Sequence, residues 1–476
     1  ILVQLGCRSM ANPQKEMTIT TKSDEARKIF LDGRQMFENI RFNESRDYFS
    51  QAIKEDPDFA FAHLYYAFTA PSAMVFQKHL QKAVALKSEV SEGERLMIEA
   101  VQAGTKNNPL KAMELWQQLV QKFPKDKRVH YFLGANYYGR DEDDKAIAEF
   151  SKVIKIDKDF APVYNLLGYT YREKEDYEKS EEAFKNYIDL LPDEANPHDS
   201  LADLYTKMGK HEDAIKHYKK AIALNPKFAF SQRKIGTNMM FMGKYDEARD
   251  AFRKAMEMEV TPAGKITSKG MIGFSYLYQD NHQEALANAD EAIKMAAKAD
   301  LPEIAAGIHS GKCRVYIETG NLDAAEKSVA ECRKVVEGSE LMASIKENFA
   351  KQALFDETLI AAKQKDFKIA MAKADEHKAK IEAGKDPKEM ENHHELLGYV
   401  YFEKGDYAKS IEHLKQADQE NPFALYYLAV AESKAGDKVK AAELFKQVAN
   451  WNENSLNYAL VRSKAIMEVK QIAKKE

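Results

Sequence analysis

VYNLLGYTYREKEDYEKSEEAFKNYIDLLP, running from Val163 to Pro192, is the stretch that decides the fold. Tyr164, Leu167, Gly168 and Tyr171 recur at three- and four-residue steps and so share one helical face. Ser180, Ala183, Phe184 and Tyr187 mark the inward face of a second helix, with a turn between them at Glu175-Asp176. Pro192 closes the unit, because proline cannot continue a helix and restricts the residue before it. The phrase returns as PHDSLADLYTKMGKHEDAIKHYKKAIALNP from Pro197 to Pro226, and begins again at Gln232 as QRKIGTNMMFMGKYDEARDAFRKAME. A period of about 34 residues marks a stacked array of helical hairpins. Gly168, with Ala202 and Ala214 in the next copy, lets two helices approach closely, and Phe184 and Tyr218 fill the adjacent space.

These positions resemble the tetratricopeptide repeat, in which an aromatic, Leu-Gly, Tyr, Ala, Phe, Ala and Pro follow one another at fixed offsets. Upstream, His130, Leu133, Gly134, Tyr137, Ala146 and Phe150 fit the pattern. Gly33, Phe49, Ala52 and Pro57 fit a first unit, and Ala112, Trp116, Leu119 and Pro124 a third. Gly236, Ala248, Phe252 and Ala255 follow downstream, then Gly273, Tyr276 and Ala285. Leu397, Gly398, Tyr401, Ser410, Ala417 and Pro422 make a strong late copy, and Leu428, Ala429, Ala441 and Phe445 the last. The resemblance covers roughly 26–450 and implies an all-α, right-handed superhelical solenoid of stacked antiparallel helix pairs.

The pattern weakens in two places. Within 60–92, Ala70-Pro71-Ser72 replaces the usual glycine-rich turn, and within 301–390 the spacing lengthens to about 40 residues. The chain thus divides into a tail over 1–25, a regular array over 26–260 with a degenerate unit at 60–92, irregular repeat-like hairpins over 261–390, and terminal repeats with a capping helix over 391–476. A last helix from Ser455 to about Ala473 is expected to cover the apolar edge that a terminal repeat exposes.

Of the 476 residues, 44% are apolar and 10% aromatic, enough for a continuous core. Acidic and basic residues nearly balance at a net charge of -4, which argues against a general nucleic-acid binder, since that needs a basic face. No run is long and apolar enough to span a bilayer as a helix. The opening ILVQLGCRSMANPQKEM admits three readings. Ser9-Met10-Ala11 has the small-x-small form of a signal-peptidase site, and Gly6-Cys7 resembles the end of a bacterial lipobox, with Cys7 as the lipidated residue and Gln4 where a leucine belongs. The third reading is a plain tail. Export would place the protein in the periplasm or cell envelope, with membrane attachment only through a lipidated Cys7; a cytoplasmic location is the alternative.

Three cysteines make no disulfide framework, and Cys313 and Cys332 are offset by ~7 Å along their helices, so two buried free thiols are expected. No nucleotide-binding, hydrolase or metalloprotease motif is present. His393 and His394 are adjacent and point about 100° apart on a helix, while His211 and His217 are poorly spaced for one metal. Asp141-Glu142-Asp143-Asp144 lacks the glycine and distal glutamate of a calcium loop and suits a helix start. No catalytic residue, metal or cofactor is expected.

The resemblance implies that the first helix of each hairpin lines a concave face that binds a partner segment. That face would carry Tyr131, Tyr138, Asn165, Tyr169, Arg172, Asp199, Asp203, Arg233, Thr237 and Met240. A chaperone-tail clamp in this family needs Lys and Asn where this chain has Asn165 with Tyr169 and Asp199 with Asp203, so a C-terminal carboxylate is disfavoured. The expectation is a non-enzymatic scaffold that holds protein or peptide segments and assembles an envelope or periplasmic complex. The alternative is a regulatory or sensor array that binds a small ligand in its middle hairpins or controls an associated enzyme.

Overall fold

The computed structural model describes residues 16–384 and 386–474. Among them every regular element is helical. Two compact units are present: the first runs through residue 190, and the second runs from residue 191 onward with 71–77 and 106–108 added to it. The leader readings, including Cys7, fall outside the described residues.

The first unit is built from α1 (Asp24–Glu38), α2 (Phe42–Glu55), α3 (Ala60–Phe68), the part of α4 (Ala73–Ala85) from residue 78 on, α5 (Glu92–Thr105), α6 (Pro109–Lys122), α7 (Lys127–Tyr138), α8 (Asp143–Ile156), α9 (Pro162–Glu173) and α10 (Tyr177–Leu190). α1 packs on α2, α5 on α6, α7 on α8 and α9 on α10. The small residue of the repeated phrase explains how close these pairs come. A Cβ on Gly168 would stand 2.6 Å from Phe184 Cε1, and one on Gly134 would stand 2.5 Å from Phe150. Ser180 Oγ adds a clasp, donating a 2.7 Å hydrogen bond to the Gly168 carbonyl across the hairpin. Each turn then reverses through one left-handed residue: Glu175 takes φ 58° and Asp141 φ 56°. The degenerate unit forms the short α3 followed by α4 without the close pairing of a regular hairpin, and aromatic rings pack it, with Phe30 5.0 Å from Phe59 and 5.2 Å from Tyr65.

The second unit continues with α11 (Ala195–Lys207), α12 (His211–Leu224), α13 (Ala229–Phe241), α14 (Tyr245–Met258), α15 (Pro262–Leu277), α16 (His282–Lys298), α17 (Pro302–Thr319), α18 (Leu322–Glu337), α19 (Ala343–Lys363) and α20 (Phe367–Gly384). After a 3-10 turn at Pro387–Glu389 come α21 (Met390–Lys404), α22 (Tyr407–Leu414), α23 (Pro422–Ala435), α24 (Lys438–Ala449) and α25 (Leu456–Ala473). Longer helices account for the longer spacing in the middle: α17 has 18 residues and α19 has 21, where α9 has 12. Cys313 and Cys332 are buried free thiols. Burial pushes the Cys332 thiol up to about 11.

The last helix does more than cap. Ser455 Oγ accepts the Tyr458 amide at its start. α25 then packs on α24 and α23 and also reaches α15 and α17. Tyr458, Val461 and Ala465 enter one core with Met240, Ile272 and Val315. Polar contacts lock the same helix in place: Lys464 pairs with Glu318 at 2.7 Å, Ser463 donates to Asp280, and the Arg462 guanidinium lies 5.3 Å above the Tyr278 ring.

Candidate functional site

The sequence-predicted stripe divides between the two units. Tyr131 and Tyr138 lie on α7, and Asn165, Tyr169 and Arg172 on α9, within the first unit. Asp199 and Asp203 lie on α11, and Arg233, Thr237 and Met240 on α13, within the second.

In the first unit α7 packs against α9, so the two rows are neighbours. Tyr131, Tyr138, Tyr169 and Arg172 are half-buried, each keeping part of its surface open to solvent. Tyr169 stands edge-on to Phe184 at 5.1 Å, and the Arg172 guanidinium lies 4.8 Å over its ring. Arg172 Nε also donates to Glu173 at 3.0 Å. Tyr131 meets Phe160 edge-on at 5.6 Å, and burial, with Glu38 nearby, raises its hydroxyl pKa. Asn165 is buried, and its Oδ1 has no hydrogen-bond partner. Leaving a buried amide oxygen unpaired is costly.

In the second unit the corresponding side chains are tied to one another. Asp199 accepts a 2.6 Å bond from Ser231, and burial, with Asp203 alongside, pushes its carboxyl above the usual range. Asp203 accepts from Tyr218 at 2.5 Å and pairs with Lys234 at 3.1 Å. Arg233 is buried against Glu259 and lies 4.5 Å over the Phe230 ring. Thr237 Oγ1 donates back to the Arg233 carbonyl. Met240 is 0% exposed, in the core that α25 completes. Sequence periodicity places these residues on first helices correctly; that a helix more than 200 residues onward packs over α13's neighbours has no local signature.

Other features escape the sequence reading. His377, His393, His394 and His413 form a chain: His377 and His393 stack at 6.0 Å, and His394 Nδ1 lies 3.0 Å from His413 Nδ1. Their available signal was the recurrence of histidine at the aromatic position of the repeat, as at His130, His198 and His394. Among the described residues no three His, Cys, Asp or Glu side chains converge to hold a metal ion, and no helix is long and apolar enough to cross a membrane.

Tetratricopeptide repeat profiles match residues 161–194, 200–228 and 395–455, which are the hairpins α9–α10, α11–α12 and α21–α24. No curated protein is similar enough to count as a relative. Among solved structures, the crystal structure of MamA is similar at 25% identity, with 36% of this chain and 95% of that one covered and a TM-score of 0.30. The crystal structure of YrrB, described as a TPR protein with an unusual peptide-binding site, shares 20% identity over 38% of this chain and 91% of that one, with a TM-score of 0.27. With the repeated phrase and the paired helices in register with them, these three matched segments of the chain are tetratricopeptide repeats.

Proposed function

We propose that the protein is an interaction scaffold and that the α7–α9 face of its first unit holds an extended segment of a partner. The observation that carries this reading is the unpartnered, buried Asn165 Oδ1 on the same helix as the half-buried Tyr169 and Arg172. The tyrosines offer broad contact at little entropic cost, Arg172 and Asn165 fix a backbone, and the geometry needs no chemistry from the protein. The second unit's equivalent residues are satisfied internally and make a poorer receiver. An exported scaffold of this kind would serve an envelope complex, which the Gly6-Cys7 and Ser9-Met10-Ala11 readings favour.

The test is affinity capture with the full chain and its Asn165→Ala/Tyr169→Ala variant, followed by binding of peptides tiled across each retained protein. A partner peptide that binds the wild type and is weakened about tenfold or more in the variant, at unchanged thermal stability, supports the reading. Equal retention by both proteins overturns it.

A further inference from the structure

The second unit holds a half-open cavity of about 520 Å³, large enough for a small molecule. Its floor comes from α17, α19, α20 and α21, and its mouth from the segments before α23 and α25. Two groups on its lining are unsatisfied. His377 is 3% exposed, yet its Nδ1 has no partner, and Arg314, with a side chain 12% exposed, has no acceptor for Nη1. Both are held against the Phe355 ring: the guanidinium lies 4.8 Å over it, and the imidazole meets it edge-on at 5.8 Å.

The surrounding polar groups are occupied with one another and therefore preorganised. Asp356 lies 3.7 Å from Arg314 Nε and accepts from Gln352 and Ser310 at 3.0 and 3.1 Å. Glu395 accepts from Tyr399 and Asn421, and Lys351 donates to both oxygens of Glu389. A buried guanidinium nitrogen without an acceptor is costly, and one ligand oxygen above Phe355 would satisfy it. Charge settles the other half of the ligand. Glu389, Glu395, Asp418, Glu420 and Glu453 outnumber Arg314 and Lys351 on the lining, so a simple anion is disfavoured. A divalent cation is disfavoured too, since the carboxylates do not converge.

We infer that this cavity binds a small zwitterionic group, a carboxylate on Arg314 and His377 joined to a cationic nitrogen facing the acidic mouth. A free basic amino acid and the C-terminal lysine of a peptide present the same chemistry. The cavity belongs to the second unit and the α7–α9 face to the first, and the inference does not depend on the scaffold reading.

Calorimetric titration of the full chain with L-lysine and with an N-acetylated Gly-Gly-Lys peptide tests it, with cadaverine and D-glucose as comparisons. Saturable binding of either lysine ligand supports the inference, and the tighter one identifies the source. Arg314→Gln should weaken that binding about tenfold or more, the scale of a charge-assisted hydrogen bond. Asp418→Asn/Glu453→Gln, on the exposed mouth, should weaken it severalfold without changing thermal stability, and decides the matter if Arg314→Gln does not fold. Failure of both lysine ligands overturns the inference, as does cadaverine binding as tightly as L-lysine or wild-type affinity in the mouth variant. Glucose binding in place of lysine overturns it as well and points to a saccharide site.

Discussion

At Gly168 a methyl group would land 2.6 Å from Phe184 Cε1 and 2.7 Å from its Cδ1, inside the distance that carbon atoms tolerate. Phe184 is fully buried and has no free end to swing aside. Gly168→Ala gains helix propensity worth up to about 1 kcal/mol, but overpacking the hairpin costs about 1–3 kcal/mol. The expected outcome is a net loss of stability in denaturant unfolding; an unchanged midpoint would mean that α9 and α10 can separate freely. This steric role is legible in the sequence, because Gly33 with Phe49, Gly134 with Phe150 and Gly236 with Phe252 repeat the offset of Gly168 with Phe184, and the remaining regular copy substitutes Ala202 with Tyr218. The Ser180 clasp is less so. A serine at a core position reads as merely small, and only the geometry shows its hydroxyl spanning to the Gly168 carbonyl. Asn165 shows a further limit: its place on α9 follows from periodicity, whereas its missing partner depends on which neighbours fail to reach it.

Among the elements, α25 departs furthest from a bare repeat. Its existence can be read from periodicity, and its start from Ser455, but its docking on α15 and α17 brings together residues nearly two hundred positions apart. Val461 is 0% exposed in the shared core with Met240 and Leu277. Val461→Asp would bury a carboxylate with no partner there, at about 3 kcal/mol or more. Hydrogen exchange should then show lost protection along α15 and α17 as well as α25. Loss confined to α25 would show that the helix is an appendage and leave α15 and α17 self-supporting. The cavity was hidden for a related reason. Arg314, Lys351 and Glu395 each interrupt an apolar face, which is a visible anomaly, yet nothing in their spacing says that three different helices bring them to one chamber.

For the whole molecule, pH sums these local burials. His63, His79, His198, His309, His377, His393 and His413 all have pKa values lowered chiefly by burial, to about 4 for His79, His198, His377 and His393. In the unfolded chain a histidine charges near 6.5. The unfolded state therefore binds more protons between about 6.5 and 4, and stability, fully present above that window, is lost as pH falls through it. Several buried carboxyls act in the opposite sense. Burial raises Asp199 to about 7 and Asp356 to about 6 and lifts Glu94 and Glu395, so their stabilising contribution is present at low pH and fades as pH rises through the folded value. Among these groups Asp199 shifts furthest, but the lowered histidines are more numerous and four of them shift by as much as or more than Asp356 does, so the acid-side loss is expected to dominate. Thermal midpoints should fall from pH 7 to pH 4.5. His393→Gln removes one proton-binding site from a buried position where His394, His413 and Lys378 oppose its charging and Asp375 alone favours it. It should flatten the decline while leaving the midpoint at pH 8 little changed. A decline as steep in His393→Gln as in the wild type would place the acid sensitivity in the other histidines or in the ion pairs. A midpoint that rises on acidification would show the buried carboxyls to be the stronger term.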